Sequence, residues 1–246
     1  MADNKVELVK ELSLAPGISG FEGKISDIIK RELKDVADDI EVDRMGNTIA
    51  TKKGSAKKGP TVMLASHMDE IGLMVKFIDD DGFIKFSTIG GINDQMLINQ
   101  AVIVHSEKGE FPGVIGSKPP HVTTPEERKK VISSDNMFID IGAKDKQQAE
   151  EMVAVGDQIT FRSWFEEFPN NLIMGKALDN RIGCYVMIEV LKRVNAKATV
   201  YGVGTVQEEA PFAILHTDTD RLIGREFHRR LSVGAHCYYL CHVEWL

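Results

Sequence analysis

The spacing of apolar positions changes along the chain, and each change predicts a different kind of element. Leu8, Leu12 and Leu14 lie close to helical spacing and predict a short helix that stops at Pro16-Gly17. Ile25, Ile28, Ile29 and Leu33 repeat at i, i+3 and i+4, which predicts a second helix starting near Phe21. Residues 39–53 read as a hairpin with Met45-Gly46-Asn47 at its turn. Thr61-Val62-Met63-Leu64-Ala65 is almost continuously apolar, the pattern of a strand buried on both faces, and it runs into Ser66-His67-Met68-Asp69-Glu70.

From Ile71 to about Phe161 the texture switches to short strand candidates at 72–78, 83–89, 101–105, 138–141 and 158–161, separated by Asp81-Gly82, Gly90-Gly91 and Lys108-Gly109. One helix, 144–153, interrupts them. This predicts a small β-barrel or sandwich inserted into an α/β domain. The α/β texture returns from Asn171. Ala177-Leu178-Asp179-Asn180-Arg181 leads into a helix at 182–194 with Val186, Val190 and Leu191 on one face. Residues 199–203 form another buried strand candidate, ending in Gln207-Glu208-Glu209.

Composition narrows the partners. The chain has 246 residues and a formal net charge of -7, which argues against a nucleic-acid partner, since phosphate binding needs clustered Lys and Arg. Lys52, Lys53, Lys57 and Lys58 make the one compact basic stretch and read as a solvated hairpin tip. No apolar run approaches the roughly 20 residues that span a bilayer, and Met1 to Leu14 lacks the apolar core of a signal peptide. Cys184, Cys237 and Cys241 are too few and too uneven for a disulfide framework, so a reducing, cytoplasmic setting is expected.

Three polar clusters stand at the ends of buried elements. His67 and Asp69 follow one strand, Glu208 and Glu209 follow another, and Asp179 opens a helix. Ligands of open α/β sheets bind beyond the carboxyl ends of strands. Imidazole with carboxylate suits zinc or cobalt. In His-x-Asp on an extended segment both side chains point the same way, so one can bind metal while the other orients it. Glu208 and Glu209 would point oppositely in a strand; they share a site only if the strand ends there and the chain turns. Each cluster also has a plainer reading: a hydrogen-bonded strand end, a helix N-cap for Asp179, a solvated terminus. Their joint occurrence at α/β element ends favours one site.

Pro16-Gly17-x-Ser19-Gly20-x-Glu22, Asp43-x-x-Gly46-Asn47, residues 65–72, 138–143, Ala177-Leu178-Asp179-Asn180-Arg181 and Thr205-Val206-Gln207-Glu208-Glu209 follow one another in the order of the motifs of metallopeptidase family 42. Over residues 1–209 the chain resembles these tetrahedral, self-compartmentalising aminopeptidases, which include glutamyl aminopeptidases and members sometimes labelled endoglucanases. The resemblance implies an α/β fold: a zinc-peptidase α/β/α domain at 1–70 and 171–209, here partial, interrupted at 71–170 by a small β-barrel dimerisation domain. It implies two divalent metal ions, zinc or cobalt, peptide substrates, and dimers that assemble into a tetrahedral dodecamer. By position, His67 resembles a ligand of one metal, Asp179 the bridging carboxylate and Glu209 a ligand of the second metal. Glu208 resembles the general base and Asp69 the residue that orients His67.

The resemblance stops after Glu209. Residues 210–246 hold His216, His228, His236, His242, Cys237 and Cys241 but no Lys, and Arg221, Arg225, Arg229 and Arg230 stand there instead. This switch reads as a frameshifted or foreign end on a truncated enzyme. The family plan asks for a further Asp and a further His, and nothing in the tail matches either. Impaired or absent activity and an uncovered sheet edge are therefore expected. His236-Cys237-x-x-x-Cys241-His242 could form a zinc half-site, but the tail lacks the apolar pattern that would hold it rigid. A glycoside hydrolase and a non-catalytic assembly subunit are the alternative functions. His105 and Cys184 read as structural, and His121 as an exposed loop residue.

Overall fold

The helical spacing of the first residues is realised in α1 (Asp3–Leu14) and α2 (Gly23–Leu33), and Ile25, Ile28, Ile29 and Leu33 form the buried face of α2. These elements belong to a computed structural model that describes residues 3–57, 59–119, 124, 126, 129–210 and 239–242. The hairpin follows as β1 (Asp39–Val42) and β2 (Thr48–Lys52), paired antiparallel. Its turn is tied by Asp43, whose Oδ1 accepts from the N–H groups of Met45, Gly46 and Asn47 at 2.9 Å each. Gly46 sits at φ +105°, a conformation that suits glycine. β3 (Thr61–His67) comes next.

The strand-rich segment is a closed barrel. It contains β4 (Gly72–Ile78), β5 (Ile84–Ile89), β6 (Ala101–Ser106), β7 (Gly109–Ser117), β8 (Met137–Asp140), α3 (Lys146–Met152) and β9 (Gln158–Phe161). The strand order is β4-β5-β8-β7-β6-β9, closed by β9 pairing with β4. Leu73, Val75, Ile84, Val102, Val104, Ile115, Ile139 and Ile159 fill the interior. β7 is not among the strand candidates read from the sequence, where only Lys108-Gly109 marks a turn before it. Here Pro112 lies opposite Ile103 of β6, and the ladder to β8 runs only over Val114–Ser117, so the missing N–H costs that ladder nothing. A Cβ at Gly116 would fall 2.9 Å from the Phe138 ring on β8, so the glycine is a packing requirement.

The rest of the chain comprises β10 (Glu166–Phe168), β11 (Leu172–Gly175), α4 (Leu178–Arg193), β12 (Thr199–Thr205) and β13 (Tyr239–His242). Two compact units result: Ile71–Arg162, and Met1–Glu70 with Ser163–Leu246. Residues 163–170 thus lie in the discontinuous unit, where β10 pairs with β11 and Phe165 packs on the helical core. That unit holds a sheet of order β1-β2-β12-β3 and a smaller one of order β10-β11-β13. β3 and β12 are parallel and in register, with Thr205 beside His67. Side chains of α1, α2 and α4 share one core that includes Leu12, Ile29, Met187, Ile188 and Leu191.

Two expectations need correction. β3 is not buried on both faces: Thr61, Val62 and Ala65 are exposed, and burial begins only at Ser66. The cause is its place, since among the described residues it has one neighbour, β12, and lies at the sheet edge. The buried face of α4 is Cys184, Met187, Ile188 and Leu191, at i, i+3, i+4 and i+7, whereas Val186 and Val190 are exposed. Apolarity alone groups the valines with Leu191, but they sit on another side of the helix. Lys58, His121, His216, His228, His236 and Cys237 lie outside the described residues, and Cys241 and His242 are described only as backbone of β13.

Candidate metal centre

The register of β3 against β12 brings the first two polar clusters together. Parallel strands end on the same side, and the pairing of His67 with Thr205 sets Ser66-His67-Met68-Asp69 beside the chain that leaves β12. Met68 N–H donates to Thr205 O at 2.7 Å and continues the contact past the strand end. β12 stops at Thr205 and Gln207 turns the chain at φ +59°. Glu208 and Glu209 therefore leave strand geometry, the condition under which adjacent carboxylates can share a site.

α4 delivers the third cluster. Ser66 Oγ donates to Asn180 O at 3.0 Å, and Cys184 Sγ lies 3.4 Å from His67 O. Gly183 permits this approach, since a Cβ there would collide with Ser66 Oγ and Asn180 Oδ1. Asp179 is not an N-cap. The capping position is Ala177 with no side-chain cap bond, and Asp179 has non-helical dihedrals (φ -88°, ψ 109°) before a cis peptide to Asn180.

The five expected residues converge. His67 Nδ1 lies 3.1 Å from the Asp69 carbonyl oxygen and 3.4 Å from Asp69 Oδ1. This turns Nε2 toward Asp179 Oδ1 at 3.3 Å and Glu208 Oε2 at 3.8 Å. His67, Glu208 and Glu209 each offer a ligand atom within 4.8 Å of the others. Ligands on a shell of about 2.0–2.2 Å radius are at most roughly 4.4 Å apart, so a small contraction would close the set on an ion. The same closeness disfavours a glycosidase, whose paired carboxylates stand about 5–9.5 Å apart.

The charges point the same way. Burial disfavours the imidazolium of His67, but the Asp69 hydrogen bond and the charges of Asp69, Glu208 and Asp179 outweigh it and raise its pKa to about 8. Burial, then repulsion from Glu208, raises Glu209 to about 7. Burial acts against ionised Asp69 too, yet its bonds from His67, Ser19 and the Glu209 N–H hold its pKa below the usual carboxylate value. Carboxylates thus crowd one imidazole, a donor set suited to a divalent cation.

Sequence reasoning gave no role to several residues that brace this site. Ser19 Oγ donates to Asp69 Oδ2 at 2.6 Å. Glu70, buried, takes Lys176 Nζ on both carboxylate oxygens and the Gly17 N–H at 3.2 Å. The buried guanidinium of Arg181 lies 3.6 Å from Glu70 and donates to the carbonyls of Leu12, Ala15 and Gly17. Membership of Ser19, Glu70 and Arg181 in the quoted motifs was the one signal available.

Comparison with known proteins shows the family. The family model of the M42 glutamyl aminopeptidases matches residues 46–212. A lysyl aminopeptidase of Pyrococcus furiosus is 41% identical over 207 residues, covering 82% of this chain and 59% of the relative. The crystal structure of a TET aminopeptidase from a marine sediment Thaumarchaeota archaeon is similar at TM-score 0.81 and 42% identity, over 85% of this chain and 59% of that one. The Pyrococcus horikoshii TET1 peptidase, described as assembling into a tetrahedron or a large octahedral shell, is similar at TM-score 0.76 and 38% identity, over 83% and 62%. The chain spans about three-fifths of the length of the curated relatives it matches.

Proposed function

The chain belongs to the M42 glutamyl aminopeptidase family, and from that premise we propose that its site performs metal-dependent removal of N-terminal residues from peptides. The observation that carries this is the meeting of His67, Glu208 and Glu209 within 4.8 Å, beside Asp179. His67, Asp179 and Glu209 would hold divalent ions, zinc or cobalt, with Asp179 as the bridge if two are bound. When bound, such ions polarise a scissile carbonyl and lower the pKa of water.

The chain's own residues supply the rest. Glu208, 38% exposed and 3.8 Å from His67 Nε2, would take a proton from water and return it to the leaving amine. Asp69 holds the imidazole through Nδ1 and so turns Nε2 toward Asp179 and Glu208, where an ion would be held. A metal or an acidic group of the site would recognise a free α-amine, giving exopeptidase selectivity. Among the described residues the candidate donors are His67, Asp179, Glu208 and Glu209.

The barrel of residues 71–162 is proposed as the dimerisation element of a homo-oligomer, supported by the assembly of the TET1 relative. Light scattering of the purified chain would show dimers or larger particles, and a strict monomer would contradict this. Among the described residues no helix is long and apolar enough to cross a membrane. The activity test is release of free amino acid from aminoacyl-anilides with added zinc or cobalt. Metal-stimulated release abolished by a chelator is expected, and release that persists in the chelator would overturn the reading.

A further inference from the structure

Residues 206–209 form no helix or strand, yet every backbone N–H in this turn is claimed by a side chain from elsewhere. Val206 N–H donates to Asn47 Oδ1 at 3.0 Å, and Gln207 N–H to Glu22 Oε1 at 2.9 Å. Glu208 N–H donates to Asp69 Oδ1 at 3.1 Å, and Glu209 N–H to Asp69 Oδ2 at 2.9 Å. The acceptors come from the loop before α2, the β1–β2 turn and the end of β3. Each acceptor is itself held. Asn47 Nδ2 donates to Asp43 Oδ2 at 2.7 Å, Glu22 Oε1 also takes the Gly20 N–H at 2.9 Å, and Asp69 Oδ2 takes the Ser19 hydroxyl. Asn47 and Asp69 are wholly buried, and Glu22 nearly so.

The turn needs such a hold. Gln207 adopts the left-handed region at φ +59°, which a non-glycine residue keeps only where its surroundings impose it. Without that kink Glu208 and Glu209 would revert to strand alternation and point apart. A buried carboxylate also costs free energy unless hydrogen-bonded, so Glu22 at this place needs the two N–H groups it accepts as much as they need it.

We propose that Glu22 and Asn47 are positioning residues of the site: with Asp69 they form a cradle of acceptors that locks the turn 206–209 and so aims Glu208 and Glu209 at one point. The inference rests on the reading of Glu208 as base and Glu209 as ligand. Glu22 acts through its acceptor oxygen on the Gln207 N–H, which a glutamine side chain also supplies. Asn47 does the same for Val206 with its amide oxygen.

The test uses the full chain with Glu22→Ala, Glu22→Gln, Glu22→Asp and Asn47→Ala. Amide hydrogen exchange is followed in the metal-free protein at residues 206–209. Zinc affinity is measured by competition with a chelating dye, and the visible spectrum of added cobalt(II) reports the ligand geometry. E22A is expected to speed exchange at the Gln207 amide, weaken zinc binding by about 10–100-fold and alter the cobalt spectrum, as loss of a partner that orients metal ligands does. N47A should act likewise at Val206, and E22Q should restore near-parental exchange, affinity and spectrum. E22D, which withdraws the oxygen but keeps the charge, should resemble E22A and serves if E22A does not fold. Unchanged Gln207 exchange in E22A and E22D overturns the cradle, as does an E22Q as impaired as E22A. A parent chain that binds no zinc would overturn the metal reading, while the exchange measurement would still decide the cradle.

Discussion

The barrel and the discontinuous unit solve the edge problem of β-sheets in opposite ways. In the barrel β9 returns to β4 and closes the ladder, and the core is filled mostly by side chains of its own strands, with Leu97, Ala149 and Val153 added. In the discontinuous unit β3 is left at the sheet edge among the described residues, with Val62 43% exposed, and Val186 and Val190 of α4 are exposed as well. The residues of chemical interest lie in that open unit, at the ends of β3 and β12 and the start of α4. In open α/β sheets ligands bind beyond the carboxyl ends of the strands, and the parallel pair β3–β12 ends at these residues.

The contrast predicts where substitutions act. The largest effect is expected at the open unit's turn: Glu208→Gln should lower the metal-stimulated anilide rate by about 10²–10⁴-fold with little change in melting temperature, since it removes a base and no packing. A stability loss as large as the rate loss would blur the distinction between the two units. Next comes the polar brace behind the site. Glu70→Ala leaves Lys176 and Arg181 buried without their carboxylate and should cost about 3–5 kcal/mol in denaturant unfolding.

In the barrel, by contrast, a purely apolar deletion should dominate. Ile159→Ala, at a wholly buried position, should cost about 2–5 kcal/mol and leave zinc binding intact. At the exposed edge of the open unit, Val62→Thr should change stability by no more than about 0.5 kcal/mol. A Val62 effect as large as that of Ile159 would mean that the edge is covered in solution.

The site should also make stability depend on pH. His67, raised to about 8, is stabilised as the imidazolium in the metal-free fold, so its contribution is full below the ordinary pKa of 6.5 and lost as pH rises through 8. Glu209, raised to about 7, favours its protonated form, so the fold loses relative stability between 4.5 and 7. Both groups must shed their protons to bind metal. The metal-free protein should therefore melt lower from pH 5 to 9, while the melting increment from added zinc grows over the same range. A zinc increment that shrinks with rising pH would contradict the assignment of these ligands.

Much of the fold was legible because period carries it. The stripe of α2, the hairpin and most barrel strands follow from spacing and turn residues. β7 was hidden because its glycines and proline are explained by neighbours, the Phe138 ring and the short ladder to β8, that only the closed barrel supplies. The exposure of β3 and the facing of α4 depend on which neighbours are present, which no local pattern encodes. Within the site, His67, Asp69, Asp179, Glu208 and Glu209 could be named from their places at element ends and from the family motifs. Glu22 and Asn47 could not be given work, because each acts on a backbone N–H more than 150 residues away, at Gln207 and Val206, and a backbone donor leaves no mark on residue type.

The central claim is that strand register and the held turn build a divalent-metal centre on this chain. Calorimetric titration of zinc into the purified, chelator-treated full chain tests it most directly, run beside His67→Ala and Glu209→Ala. Saturable binding that each substitution weakens sharply, while Ile159→Ala leaves it unchanged, is the predicted result. Absence of binding, or binding that survives the loss of both His67 and Glu209, would contradict the account.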